Sequence, residues 1–217
     1  MTTENLPVLA ILGGTGDLGT GLARRWAQAG YEVIIGSRTL EKAEAAVADL
    51  REVMAERGVS EVTVQAMSNA DAAAAAEIVT LTVPFSHQVS TLESVRDALQ
   101  GKILIDVTVP LVPPRVARVQ LPPEGSAGQI AQELLGEEVA VVSAFQNVAA
   151  AHLQEGKGVE CDVLVSGNKK DARQQVIKLV EAAGMRGFHA GMINNAAAAE
   201  ALTSVLIAIN KQYGCHA

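Results

Sequence analysis

Residues 9–21 read Leu-Ala-Ile-Leu-Gly-Gly-Thr-Gly-Asp-Leu-Gly-Thr-Gly, a short apolar run that breaks into a glycine-rich turn. Gly14, Gly16 and Gly19 have the spacing G-x-G-x-x-G. The apolar run 8–12 before them reads as a strand, and Leu18, Leu22 and Ala23 after them begin a helical pattern. In that context the glycines have distinct tasks. The first permits a tight turn, the second lets backbone approach a pyrophosphate, and the third lets helix and strand pack closely. A Cβ would obstruct each of them. The free N–H groups at the start of the helix after Gly16, with the positive end of its dipole, form an anion site. A chain with 19 glycines will contain such a spacing by accident, so the flanking strand and helix carry the nucleotide reading.

The next strand says which nucleotide. Residues 17–29 form a helix stopped by Gly30, and 31–35 a strand rich in β-branched residues. The end of that strand lies about twenty residues past the turn, where an NAD-binding protein places an acid on the ribose hydroxyls. Here the residues are Gly36, Ser37 and Arg38. A carboxylate would repel a 2′-phosphate, whereas Ser37 can donate a hydrogen bond to it and Arg38 can offer a planar charged fork. Lys42 can add a second charge and Thr15 can reach the same group, so the expected cofactor is NADP(H). The formal net charge of −7, with no sustained basic stripe, argues against nucleic acid as a partner. Local cations therefore matter more than the total.

Strands and helices alternate through the following residues. Helix 39–57 ends at Gly58, strand 62–67 leads to a short alanine-rich helix capped by Ser68 or Asn69, and strand 77–83 is nearly continuously apolar. It runs into Val83, Pro84 and Phe85, which are placed to border the ligand crevice, and then a helix over 87–99 that Ser86 could cap. His87 is either a phosphate or substrate contact or a solvated first-turn residue. Strand 102–109, a proline-rich crossing loop over 110–123, a helix from Ser126 to 135 and strand 138–145 complete an open sheet. The expected fold is α/β, a Rossmann-type, doubly wound, mostly parallel sheet over 1–145. Residues 146–217 read as a loop, two helices and two short strands, hence a small C-terminal α+β domain for substrate binding and dimerisation.

Cys161 and Cys215 are isolated, which leaves no zinc or disulfide pattern and no metal site expected. Residues 1–7 are mostly polar and no apolar run reaches the length of a membrane span, so a cytoplasmic protein without membrane partners is expected.

Taken together, these residues resemble the F-420-dependent NADP reductases, the 8-hydroxy-5-deazaflavin:NADPH oxidoreductases. The likeness lies in the turn 12–21, Gly36-Ser37-Arg38 with 41–44, Val83-Pro84-Phe85 with His87, and 125–127. It continues through Val142 to Phe145 with Asn147, and Glu200 to Thr203 with Ile209-Asn210. The resemblance implies that Thr15, Gly16, Asp17 and Leu18 touch the dinucleotide and that Ser37, Arg38 and Lys42 hold the 2′-phosphate. It places Val83, Pro84, Phe85, Val109, Ala149 and Ala150 on the nicotinamide side. It also implies direct hydride transfer between NADPH and coenzyme F-420 (F420), with no covalent intermediate and no metal, in a homodimer. Such chemistry asks the protein mainly for orientation, and no Ser-His-Asp, Cys-His or paired-carboxylate constellation is legible. Candidate deazaflavin contacts are Gln146, Asn147 and His152, with Thr203 and Asn210 on the terminal helix.

Glu200, Thr203, Ile207 and Asn210 share a helix face that could equally be a dimer interface. Lys169, Lys170 and Arg173 read either as contacts for an anionic tail or as a solvated first turn, and Trp26 and Tyr213 as packing residues. Two other functions fit the first domain: a pyrroline-5-carboxylate-reductase-like enzyme acting on a small imine or carbonyl, and a non-catalytic NADPH sensor.

Overall fold

The computed structural model describes residues 6–59, 61–155 and 158–215, so most of the polar segment 1–7 lies outside the described residues. Eight strands form one sheet: β1 (Leu9–Leu12), β2 (Val33–Ser37), β3 (Val64–Ser68), β4 (Ile78–Leu81), β5 (Ile103–Asp106), β6 (Ala140–Ser143), β7 (Asp162–Gly167) and β8 (Arg186–Gly191). The helices are α1 (Asp17–Gln28), α2 (Leu40–Glu56), α3 (Asn69–Ala75), α4 (Gln88–Val95), α5 (Ala127–Leu135), α6 (Ala150–Gln154), α7 (Lys170–Ala182) and α8 (Ala196–Tyr213). The strand order is β3-β2-β1-β4-β5-β6-β7-β8, parallel throughout except where β7 joins β6. The order reverses between β1 and β4, and a crevice at such a switch point is where open α/β sheets hold ligands.

Successive strand residues point to opposite faces, and both faces are covered. Leu9, Ile11, Val33, Ile35 and Val142 face Trp26 of α1, Leu50 and Met54 of α2, and Val176 of α7. Ala10, Leu12, Ile34, Val79, Leu81 and Leu104 face Ala72 of α3, Leu92 of α4 and Ala131 of α5. Burial on both sides explains the continuous apolar runs, and each buried Leu or Ile contributes about 1.5–3 kcal/mol. Trp26 is fully buried, meets Phe145 edge to face at 6.0 Å, and donates its indole N–H to the Leu179 carbonyl at 2.9 Å.

The C-terminal strands extend this same sheet. β7 pairs antiparallel with β6 at Val142↔Gly167 and Ser143↔Ser166, and a Cβ on Gly167 would fall 2.8 Å from the Val141 carbonyl oxygen. The division expected after residue 145 falls between β6 and α6, and one sheet crosses it.

Several elements differ from expectation. The segment 146–160 was expected to be a loop, yet it contains α6, whose five residues are too few for a period to register. Tertiary contacts hold that helix. Leu153 is fully buried against Gly21, where a Cβ would stand 2.7 Å from the Leu153 Cβ. Arg25 donates to the Leu153 and His152 carbonyls at 3.1 and 2.9 Å, and Arg57 donates to that of Gln154. The helix expected over 87–99 is divided into a 3-10 turn at Phe85–His87, α4, and a second 3-10 turn at Asp97–Leu99. His87 rather than Ser86 therefore occupies the cap position of α4, without a side-chain cap bond. Ser126 caps α5 as expected, accepting from the Gln129 N–H at 3.0 Å. Tyr213, expected to pack, is 76% exposed. Among the described residues no helix is long and apolar enough to cross a membrane.

Candidate nucleotide-binding site

The glycine turn joins β1 to α1 at the crevice, and each glycine there has its own reason. The left-handed backbone belongs to Gly13, at φ +67, where a Cβ would stand 2.5 Å from Cγ1 of Val83. Gly14, which the sequence reading gave the tight turn, is instead required by space, since a Cβ would meet the Ile11 carbonyl oxygen at 2.7 Å. Gly19 rides on Gly14, with a Cβ reaching that residue's Cα at 2.7 Å, which is the close helix packing expected of the third glycine. Gly16 differs: nothing lies within 4 Å of its would-be Cβ. The protein itself does not require glycine there. A group seated against the turn would, and Gly16 is also the cap residue of α1, whose first N–H groups receive no side-chain bond from it.

A cavity of about 260 Å³ opens in front of this turn. Thr15, Gly16, Ser37, Arg38, Lys42, Val83 and Pro84 all line it, so the turn, the end of β2 and the end of β4 converge as the spacing predicted. Ser37 is buried and its Oγ accepts from the Thr39 N–H at 3.2 Å, which leaves its hydroxyl hydrogen free to donate. Arg38 and Lys42 are exposed, and their side chains make no hydrogen bond or ion pair among the described residues. Two uncommitted cations beside a hydroxyl, with no acid in the lining, suit a dianionic phosphate. A neighbouring cleft of about 550 Å³ shares Thr15 and Lys42 and adds Asp17, Thr20, Arg24, Asp49 and Gln154. Asp17 lies there, and Leu18 packs on the core.

The lining also holds residues the sequence reading missed: Gly13, Thr39, Asn69, Thr82 and Thr91. Ser68 or Asn69 is expected to cap the helix after β3. Ser68 has that role, accepting from the Asp71 N–H at 3.1 Å, while the Asn69 Oδ1 reaches past the end of β2 to accept from the Gly13 N–H at 3.2 Å. Only the strand order β3-β2-β1 brings them together, and nothing local signals it. His87 lines the cavity and is exposed.

The other residues expected on the nicotinamide side, and those expected at the second substrate, are placed otherwise. Phe85, Val109, Ala149, Ala150, Asn147 and His152 do not line this cavity. Gln146 is buried, with Nε2 donating to the Asp106 carbonyl at 2.9 Å and to Ser143 Oγ at 2.8 Å. Asn147 Oδ1 accepts from Thr203 Oγ1 at 2.8 Å. Glu200 is not on an open face: it is 1% exposed and its two oxygens accept from the Ala127 and Gly128 N–H groups, 2.7 and 3.1 Å away, at the start of α5. Burial, aided by the negative charge of Asp106 and opposed by those two amides, pushes its carboxyl up to about 8. Asp106 is also displaced upward by burial, against hydrogen bonds from Thr108 and Gln88. Lys169 and Lys170 border a cleft with Gly101, Lys102 and Ile103, at the opposite end of the strands from the glycine turn, and Arg173 donates to the Gly167 carbonyl.

Comparison with known proteins bears on this geometry. Residues 8–110 match the family model described as NADP oxidoreductase, coenzyme F420-dependent. The chain is 40% identical over 210 residues to the F420-dependent NADP reductase of Methanocaldococcus jannaschii, covering 94% of this chain and 93% of that one. It is 41% identical over 208 residues to the reductase of the same name from Methanothermobacter thermautotrophicus, covering 93% and 88%. Among solved structures, one from Arthrobacter sp. FB24 assigned to the F420-dependent NADP-reductases superposes with a TM-score of 0.81 at 28% identity, covering 97% of this chain and 96% of that one.

Proposed function

The chain belongs to the F420-dependent NADP reductase family, and from that premise we propose how its residues divide the work of moving a hydride between NADPH and F420. It is an NADP-dependent oxidoreductase whose substrates are NADP(H) and the deazaflavin. The observation that carries the cofactor choice is the end of β2, where Ser37, Arg38 and Lys42 converge with no carboxylate. In this reading the open space at Gly16 receives the pyrophosphate, the first N–H groups of α1 bind it, and Ser37, Arg38 and Lys42 bind the 2′-phosphate.

Bound NADPH supplies a hydride from its nicotinamide, and the deazaflavin accepts it. The protein's task is to hold two rings face to face with water excluded. Val83, Pro84 and Phe85 after β4, Val109 after β5, and Ala149 and Ala150 before α6 form the nicotinamide side of the reading. Asn147 and His152 border the deazaflavin, and residues 146–217 serve as the substrate and dimerisation part. The proton that completes reduction of the deazaflavin is taken from solvent, so that no described residue is assigned a proton transfer at the reacting carbon. Homodimerisation through α8 belongs to the same reading, supported by Leu202 and Val205 at 39% and 43% exposure and by exposed Tyr213. A cytoplasmic location is also inferred, since Cys161 and Cys215 are free thiols suited to a reducing compartment.

The test is to mix the protein with NADPH and oxidised F420 and follow the deazaflavin absorbance, with NADH as control. Rapid bleaching selective for NADPH is expected. Binding of NADPH without bleaching would overturn the reading.

A further inference from the structure

The ends of β4, β5 and β6 lie side by side, with Leu81 opposite Asp106 and Asp106 opposite Ser143. Asp106 ends the middle strand and is 1% exposed. Its Oδ1 accepts from the Thr108 N–H at 2.9 Å and from Thr108 Oγ1 at 2.6 Å, and its Oδ2 accepts from Gln88 Nε2 at 2.5 Å. Its backbone carbonyl accepts from Gln146 Nε2 and, at 3.2 Å, from the Ala144 N–H. Gln88 follows the 3-10 turn that leaves Pro84, and its Nε2 also reaches the Ala127 carbonyl at 2.8 Å. Gln146 precedes α6, and its carbonyl accepts from Thr203 Oγ1 on α8 at 3.2 Å. One buried residue is thus tied to each of the three loops that leave β4, β5 and β6.

We propose that Asp106 is a positioning residue for hydride transfer, its buried carboxylate fixing the relative placement of the three loops that carry the nicotinamide side of the site. The inference rests on the function proposed above. Among the described residues the partners of the carboxylate are the Thr108 N–H, the Thr108 hydroxyl and the Gln88 amide, each a donor, which is the environment of an anion that accepts only. Burying such a group is unfavourable, and well-packed apolar residues often replace buried polar clusters without loss of stability. Gln88 Oε1 and Gln146 Oε1 are buried without a hydrogen-bond partner among the described residues. Reversing the Gln88 amide would fill neither need, since its oxygen would then face the carboxylate. Donors from three separate segments converging on one buried residue admit few arrangements of the elements that supply them, which makes the cluster a register. Hydride transfer rewards such a register, since a misplacement of about 1 Å can lower a rate about 100-fold.

Asp106→Asn places an amide N–H against one of these donors. Expected are a loss of about tenfold or more in the single-turnover rate at saturating NADPH, NADPH affinity within about twofold of wild type, and changed nicotinamide fluorescence of bound NADPH. Thr108→Val removes one donor, is gentler on folding, and should give the same pattern at about threefold. An unchanged rate and unchanged nicotinamide emission in the folded variants would overturn the assignment, as would affinity falling in step with rate. Failure of wild type to reduce F420 would instead overturn the functional reading, and the nicotinamide emission would still decide the role of Asp106.

Discussion

The two ends of the proposed nucleotide site are built from opposite materials. At the phosphate end the binding groups are backbone N–H groups of α1, a hydroxyl with one short-range bond, and two exposed cations committed to nothing else among the described residues. At the proposed nicotinamide end Val83 and Pro84 line the cavity beside Thr82, His87 and Thr91, and a further set of polar groups at the ends of β4, β5 and β6 is buried and bonded together around Asp106. The first arrangement is free to take up a charged ligand. The second is committed to holding protein against protein. Affinity and cofactor choice should therefore reside at one end and the rate of the chemical step at the other.

Gly13 lies between the two ends, since a Cβ on it would stand 2.5 Å from Val83 Cγ1 and its N–H donates to Asn69 Oδ1, which lies beside Gly36 near the end of β2. Gly13→Ala combines a left-handed backbone with a methyl group inside contact distance. It should lower unfolding stability by about 2–4 kcal/mol in denaturant titrations and weaken both affinity and rate. A variant that lost only one of the two would show the ends to be independent even there.

Arg38→Ala should remove a charge-assisted bond worth about 1.5–3 kcal/mol, or about tenfold to a hundredfold in NADPH affinity by titration, with NADH affinity hardly changed. Equal weakening of both would place the 2′-phosphate elsewhere.

Glu200 sharpens the other half of the comparison. With its carboxyl raised from 4.5 to about 8, the folded protein keeps a proton that the unfolded chain has released. Stability should therefore fall as pH rises between those values, by at most about 1.4 kcal/mol per pH unit, and level off above about 8. Glu200→Gln should flatten that slope in thermal melts taken across pH. The smallest effect is expected for Lys42→Ala, about two- to fivefold in NADPH affinity and fading as salt is raised, since an exposed single charge is readily screened.

What was legible in the sequence follows the same division. The phosphate end is local: a strand, a glycine turn and the next strand end lie within about forty residues, and the spacing rules place Thr15, Gly16, Ser37, Arg38 and Lys42 around one cavity without knowledge of the fold. The nicotinamide end is assembled from distant residues. In the sequence Asp106 falls inside the apolar strand expected over 102–109, Gln88 inside the helix expected over 87–99, and Glu200 on a helix face that could meet either substrate or a dimer partner. Their meeting depends on β4, β5 and β6 being neighbours and on α8 returning to the start of α5. The helix α6 escaped notice for a related reason, since Arg25 and Arg57 from α1 and the residue following α2 hold its carbonyls. The extension of the sheet by β7 and β8 turned on an antiparallel join that no pattern within those strands announces.

The most direct test is to measure, in Arg38→Ala, both NADPH affinity and the single-turnover rate of F420 reduction at saturating NADPH. The expected result is affinity lowered about tenfold or more with the saturated rate within about twofold of wild type. A saturated rate that fell together with affinity would contradict the division of labour between the two ends.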